Sequence, residues 1–205
     1  AIRWNFINPK LGSSVQIKKS GALYFNIGKT GREPAKYDMF EGNDILLYLC
    51  DYDELGNPII PEKGNELISS TTPEYVTDFE IGFRNIYKNG LININYYYLN
   101  FDNERVLNGV YGPNGLALTS NVEKSIRTGI EISGEYNLTN HLKIINNSSF
   151  NHSVIKQQNV EFTPILTPKV IINQECAYSI KNLIFNISVR YQSESYMDFE
   201  NSNSL

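Results

Sequence analysis

Charged residues at two-residue spacing are the first chemistry legible in this chain. Asp78, Glu80 and Arg84 alternate with Phe79, Ile81 and Phe83; Arg127, Glu131 and Glu135 alternate with Ile126, Thr128, Ile130 and Ile132; Arg190 sits between Val189 and Tyr191. Side chains two apart project to one side of a strand, so these charges form a wall. Such a wall either meets a partner or lines a path, or it is plain polar lining with its charges paired or solvated. A second candidate is Asp51-Tyr52-Asp53-Glu54-Leu55-Gly56-Asn57 with Glu62 beyond it, which partly fits a calcium loop. Leu55 stands at a ligand position and two prolines intervene, so a turn at Gly56-Asn57-Pro58 is the better reading. His141 and His152 lie about a strand length apart and share no site, and no nucleophile elbow occurs. Cys50 and Cys176 make neither a disulfide framework nor, with the two histidines, a structural zinc site. The sequence therefore points to no catalytic residue, no metal, no cofactor and no enzymatic activity. Sequons at Asn137, Asn147, Asn151 and Asn186 fall in strands or a tight turn and are not read as glycosylation sites.

The elements that carry these charges are strands. In Pro73 to Asn100, Tyr75, Thr77, Phe79, Ile81, Phe83 and Tyr87 share one face, and Lys88-Asn89-Gly90 separates two alternating runs. An Asn-Gly pair between alternating runs predicts a hairpin whose central residues take positive φ. The same period runs through Phe6–Lys18, Leu23–Gly28, Ser125–Leu138, Leu142–His152, Thr167–Ser179 and Leu183–Gln192. The expectation is all-β, with eight up-and-down antiparallel strands in one unit over residues 1–205. Short turns fall near residues 20, 89, 140 and 181, and long connections at 33–72, 102–121, 154–165 and 194–205. Tight turns on one side and long loops on the other are the plan of an outer-membrane barrel, with extracellular loops. Tyr37, Tyr48, Tyr52 and Tyr111 lie in the long connections, where aromatic side chains either bind ligand or simply pack.

Bulk composition narrows the class. Charged residues are 20%, the net charge is −4, and the chain holds 14 Tyr and 10 Phe, so nucleic-acid binding has no electrostatic footprint. No apolar run is long enough for a transmembrane helix, which leaves a β-barrel open because its strands alternate. Ala1-Ile2-Arg3-Trp4-Asn5 has no signal-peptide pattern, so the chain is expected to be intracellular or to lack its beginning.

Several segments resemble one family. Asn8-Pro9-Lys10-Leu11-Gly12, Gly31-Arg32-Glu33-Pro34 and Pro73-Glu74 ahead of Phe79-Glu80-Ile81-Gly82-Phe83-Arg84 are similar to the motifs of TonB-dependent outer-membrane receptors. Tyr98-Leu99-Asn100-Phe101-Asp102-Asn103, Asn121-Val122 and Ser125-Ile126-Arg127-Thr128-Gly129-Ile130-Glu131 continue the series in the same order. Arg190 to Asp198 resembles a later segment of that family. The resemblance implies an open, curved segment of a 22-stranded transmembrane β-barrel in the bacterial outer membrane, from the barrel's second half and short of the final strands. It implies a plug domain and the remaining barrel strands as partners, a TonB inner-membrane complex acting through the plug, outer-membrane lipid around the wall, and a small-molecule cargo, most often an iron chelate or siderophore. The charged wall would then face the plug or the path that opens when the plug moves. Two other readings stay open: a complete small eight-stranded barrel with a structural or adhesive role, in which the first and last strands pair, and a soluble β-sandwich binding module, in which Phe79, Ile81, Phe83, Ile130 and Ile132 pack against a facing sheet.

Overall fold

The computed structural model describes residues 3–35, 54–55, 72–112, 115–157, 160–198 and 200–205. Among the described residues there is no helix. The strands are β1 (Lys10–Ile17), β2 (Gly21–Arg32), β3 (Glu74–Tyr87), β4 (Gly90–Tyr111), β5 (Ala117–Asn137), β6 (Leu142–Gln157), β7 (Val160–Phe162), β8 (Val170–Ile180) and β9 (Leu183–Gln192). They form a single antiparallel sheet in the order β1-β2-β3-β4-β5-β6-β8-β9, with β7 paired to the far end of β6. β1 pairs with β2 and β9 with β8, and among the described residues neither pairs with the other. The sheet is open.

One layer means almost no interior. Among the described residues Val106, Val122 and Ile155 are the buried hydrophobic core, with Phe162 packed against it. Ile81 and Ile130 are each 44% exposed and no second sheet covers them. Among the described residues no facing layer covers the sheet, so the sandwich reading fails, and β1 and β9 do not pair, so the small-barrel reading fails. Register explains how a one-layer sheet keeps two unlike faces. Val15, Leu23, Phe83, Ile94 and Ile132 lie opposite one another across successive strands, as do Phe25, Ile81, Tyr96, Ile130 and Phe150. Direct partners in an antiparallel ladder share a face, so these rows build one apolar surface.

Three boundaries differ from the sequence reading. The hairpin after β3 turns at Lys88-Asn89, Tyr87 pairs with Gly90, and neither Asn89 nor Gly90 adopts a positive φ. Gly90 is small for a different reason: a Cβ there would run into the Glu135 carbonyl oxygen of β5. The expected connection 102–121 is mostly strand, since β4 continues to Tyr111 and β5 begins at Ala117. The expected connection 154–165 contains the end of β6 and all of β7, which makes the sheet nine-stranded. In both places backbone pairing goes on although the alternation of apolar and polar side chains fades in the sequence. Asn103, at φ 57°, interrupts the alternation of β4 where the hairpin leaves β3 behind.

Two glycines of the motif segments serve as seats for tyrosine rings. Tyr24 of β2 pairs with Gly82 of β3 and lies where a Cβ on Gly82 would be. Tyr97 of β4 pairs with Gly129 of β5, and its Oη would stand 2.6 Å from a Cβ on Gly129. An aromatic ring laid over a cross-strand glycine restores the contact that the missing side chain leaves out. We expect Gly82→Ala in the complete protein to destabilise the barrel by about 1–3 kcal/mol through overpacking. Adding Tyr24→Leu should recover part of that loss, because the clash goes with the ring. The check is a urea titration of the heat-modifiable folded band, and a Gly82→Ala midpoint equal to wild type would rule the seat out.

Candidate functional site

The charges singled out from sequence all lie on the face opposite the apolar rows. Arg84, Asn93, Ser133, Asn147, Asn173 and Arg190 form one continuous row; Gly82, Asn95, Glu131 and Ser149 the next; then Glu80, Tyr97 and Gly129; then Asp78, Leu99 and Arg127. Glu135 lies in the row of Leu91, Ile145 and Glu175, nearer the tight turns. The residues are not gathered into one cluster. Glu135 pairs with Lys143 at 2.7 Å, and Arg190 donates to Asn173 Oδ1 at 3.0 Å. Glu80 and Glu131 make no ion pair among the described residues, and Asp78 Oδ1 and Asn95 Oδ1 are buried without a hydrogen-bond partner. This face is polar and acidic in its middle and leaves acceptors unsatisfied.

A tighter arrangement stands at the long-connection end, and sequence reasoning missed its centre. Glu104 is buried, 4% exposed, and accepts hydrogen bonds from Ser125 and Arg127. Arg127 also lies over the Phe101 ring, 5.1 Å from its centroid, and its Nε is buried without a partner. Glu104 fell inside a presumed loop, and only its neighbours in Asn103-Glu104-Arg105 hinted at pairing. Around it the motif residues act as fasteners. Asn8 Oδ1 accepts the Gly31 N–H at 2.8 Å, and the Lys29 N–H reaches the Pro9 carbonyl at 2.9 Å. Glu74 pairs with Arg32 at 3.1 Å and accepts the Arg105 backbone N–H at 2.9 Å. Asn121 bonds both backbone groups of Thr72 at 3.1 Å and the Asn103 carbonyl at 2.6 Å, and accepts from Arg105 at 3.0 Å. Every strand from β2 to β5 is thus tied to its neighbour at this rim.

Beyond the rim, residues 104–111 and 117–122 pair only with each other, a hairpin arm that outruns β3 and β6. Val106 and Val122 of this arm pack on Ile155 and Phe162 of the β6–β7 hairpin. The next two connections are also joined: Asn201 accepts the Thr163 N–H at 2.7 Å and donates to its carbonyl at 3.0 Å. Asp198 in turn accepts the N–H groups of Ser202 and Asn203, and these bonds hold its carboxyl below the ordinary range. Tyr111 is 72% exposed at the arm's end. Tyr37, Tyr48, Tyr52, Cys50 and most of the calcium-like segment lie outside the described residues. Among the described residues no three of His, Cys, Asp and Glu gather as a metal would require.

A family model described as TonB dependent receptor-like, beta-barrel matches residues 2–204. The chain belongs to the TonB-dependent receptor family. The fold agrees with three solved receptors. The copper transporter OprC superposes with a TM-score of 0.65 at 14% identity, over 88% of this chain and 25% of that one. The ferric yersiniabactin uptake receptor FyuA from Yersinia pestis gives 0.65 at 13% identity, over 95% and 27%. The siderophore receptor PirA from Acinetobacter baumannii gives 0.65 at 16%, over 92% and 29%. The chain thus spans between a quarter and a third of the length of these receptors, and no curated protein sequence matches it. The family consists of receptors and transporters rather than enzymes. The signature segments of this receptor family coincide here with the fastened rim and with the tyrosine seats.

Removing one partner of a buried pair leaves the other charge uncompensated. In the complete receptor Arg127→Met should therefore lower stability by about 3 kcal/mol. Glu104→Gln with Arg127→Met should restore most of it, since no lone charge remains. Urea midpoints of the four proteins of this double-mutant cycle decide, and additive losses would mean that the two groups do not act as a pair.

Proposed function

We propose that this chain is a block of barrel wall from an outer-membrane transporter that takes up a scarce nutrient, with an iron chelate of the siderophore type as cargo. The observation that carries the reading is the single sheet with one apolar and one acidic, polar face. A lone sheet with both faces uncovered is stable only where one face meets hydrocarbon and the other an aqueous or plugged lumen. In this reading the apolar rows face outer-membrane lipid, and the tight turns lie in the periplasm. The long connections then lie outside the cell, with Tyr37, Tyr48, Tyr52 and Tyr111 meeting cargo there. Asp78, Glu80, Arg84, Arg127, Glu131, Glu135 and Arg190 face the lumen, where a plug domain sits, and the remaining strands of a closed barrel pair with β1 and β9. Energy from the TonB complex reaches cargo through the plug, so none of the wall residues performs bond chemistry. Of the three solved receptors named above, one is described as a ferric yersiniabactin uptake receptor and another as a siderophore receptor, which favours that cargo over free metal.

The test is uptake by the complete gene. Expressed in a bacterium stripped of its own siderophore receptors, it should restore growth on at least one ferric siderophore under iron limitation. The rescue should vanish when TonB is deleted. Rescue independent of TonB, or no rescue and no binding across a siderophore panel, overturns the cargo assignment. Within that system, Glu80→Gln combined with Glu131→Gln should cut transport several-fold while leaving the amount of folded barrel unchanged, because the acids face the plug and not the membrane. Unchanged transport would return both residues to plain polar lining.

A further inference from the structure

The apolar face is not uniform. Gly134 of β5 lacks a side chain between Ile92 of β4 and Asn146 of β6, its direct partners on either side. The gap opens a groove of about 480 Å³ walled by Tyr87, Ile92, Ile132, Tyr136, Ile144 and Asn146. Leu91, Ser133, Gly134 and Glu135 complete its lining, and on the apolar face its polar groups are the Asn146 amide and the hydroxyls of Tyr87 and Tyr136. Beside it lies a polar network on the same face: Asn146 Nδ2 donates to Gln174 Oε1 at 3.1 Å, Ser148 Oγ donates to Asn146 Oδ1 at 3.0 Å, and Gln174 Nε2 reaches the Ile145 carbonyl at 2.9 Å. The second hydrogen on Asn146 Nδ2 has no protein partner among the described residues, although the first is engaged.

We propose that this groove holds one acyl chain of a glycerophospholipid from the periplasmic leaflet, with the free Asn146 hydrogen donated to the ester carbonyl. The inference rests on the membrane-facing assignment of the apolar rows made above. Three observations select this occupant. The groove is continuous with the apolar rows, so what fills it must be hydrocarbon, and close packing disfavours leaving it empty. The Gly134 row lies three residues from the Asn137 end of β5, about 10 Å along the strand, which puts it near the tight turns and hence in the inner leaflet. An amide hydrogen left bare in hydrocarbon is costly, and the ester group is the acceptor found at the boundary of the hydrocarbon.

The experiment uses the complete receptor, purified in mild detergent from the outer membrane and examined by native mass spectrometry with lipid extraction. Wild type should retain one glycerophospholipid per barrel through extended washing. Ile144→Trp, which fills the groove from its wall, should reduce retention about tenfold, the ratio that about 1.4 kcal/mol corresponds to. Asn146→Leu, which keeps the groove and removes the donor, should reduce it by a smaller factor. Equal retention in all three proteins overturns the proposal, as does a wild type that holds no phospholipid, holds lipopolysaccharide instead, or associates there with a second copy of the chain. Heat modifiability and recovery from the outer-membrane fraction are read in parallel. A folded outer-membrane barrel without bound phospholipid defeats the groove alone, whereas a protein absent from that membrane defeats the transporter reading beneath it.

Discussion

The antiparallel ladder that runs unbroken from β1 to β9 is the constraint from which the other features follow. A sheet that must satisfy its backbone groups without a second layer has no core to stabilise it, and here the buried apolar side chains are few and lie at one end. Stability must come from pairing between neighbours and from what meets each face. The signature residues accordingly act as fasteners. Asn8, Glu74 and Asn121 each bridge one strand or its flank to the next, at the rim where the ladder would otherwise fray into long connections.

The same constraint governs the polar residues on the apolar face. A hydroxyl or amide that points at hydrocarbon must find its partner within the sheet. Thr128 donates to the Tyr97 carbonyl at 3.0 Å or the Tyr96 hydroxyl at 3.1 Å, and Asn146, Gln174 and Ser148 bond one another with one Asn146 amide hydrogen left over. On the opposite face the rule is relaxed. Asp78 and Asn95 keep buried oxygens without protein partners, and Glu80 sits beside Asp78 and Glu131 with no cation among the described residues. Among the described residues, buried side-chain acceptors without a partner occur on this face alone.

That difference also decided what could be read from the sequence. Over Glu74–Asn100 and Ser125–Asn137 the two faces meet unlike surroundings, so selection writes an alternating pattern, and the strands, their pairing order and the family motifs were legible there. From Asn103 to Val122 apolar and polar side chains no longer alternate in the sequence, Gly109, Gly112, Pro113 and Gly115 read as loop residues, and the strand was mistaken for a loop although its ladder continues. β7 is three residues long and too short to show a period. Glu104 was illegible for the same reason: nothing local reveals that a residue of an apparent loop will be covered by Ser125 and Arg127, which lie 21 and 23 positions away. The turn at Lys88-Asn89 was found at the right place for the wrong reason, since Gly90 is fixed by the approach of β5 and not by its own φ.

The arm therefore differs from an ordinary loop in what its order costs. A flexible connection must be ordered when it grips a ligand, at a cost of about 1–2 kcal/mol for each residue fixed. Residues 104–111 and 117–122 are already ordered by their ladder, by the Glu104 pair at their base and by Val106 and Val122 against the neighbouring hairpin. Thr163 and Asn201 join the next two connections in the same manner. Fastened to one another above the rim, these segments hold Tyr111 exposed at the end of a ladder and not on a free connection.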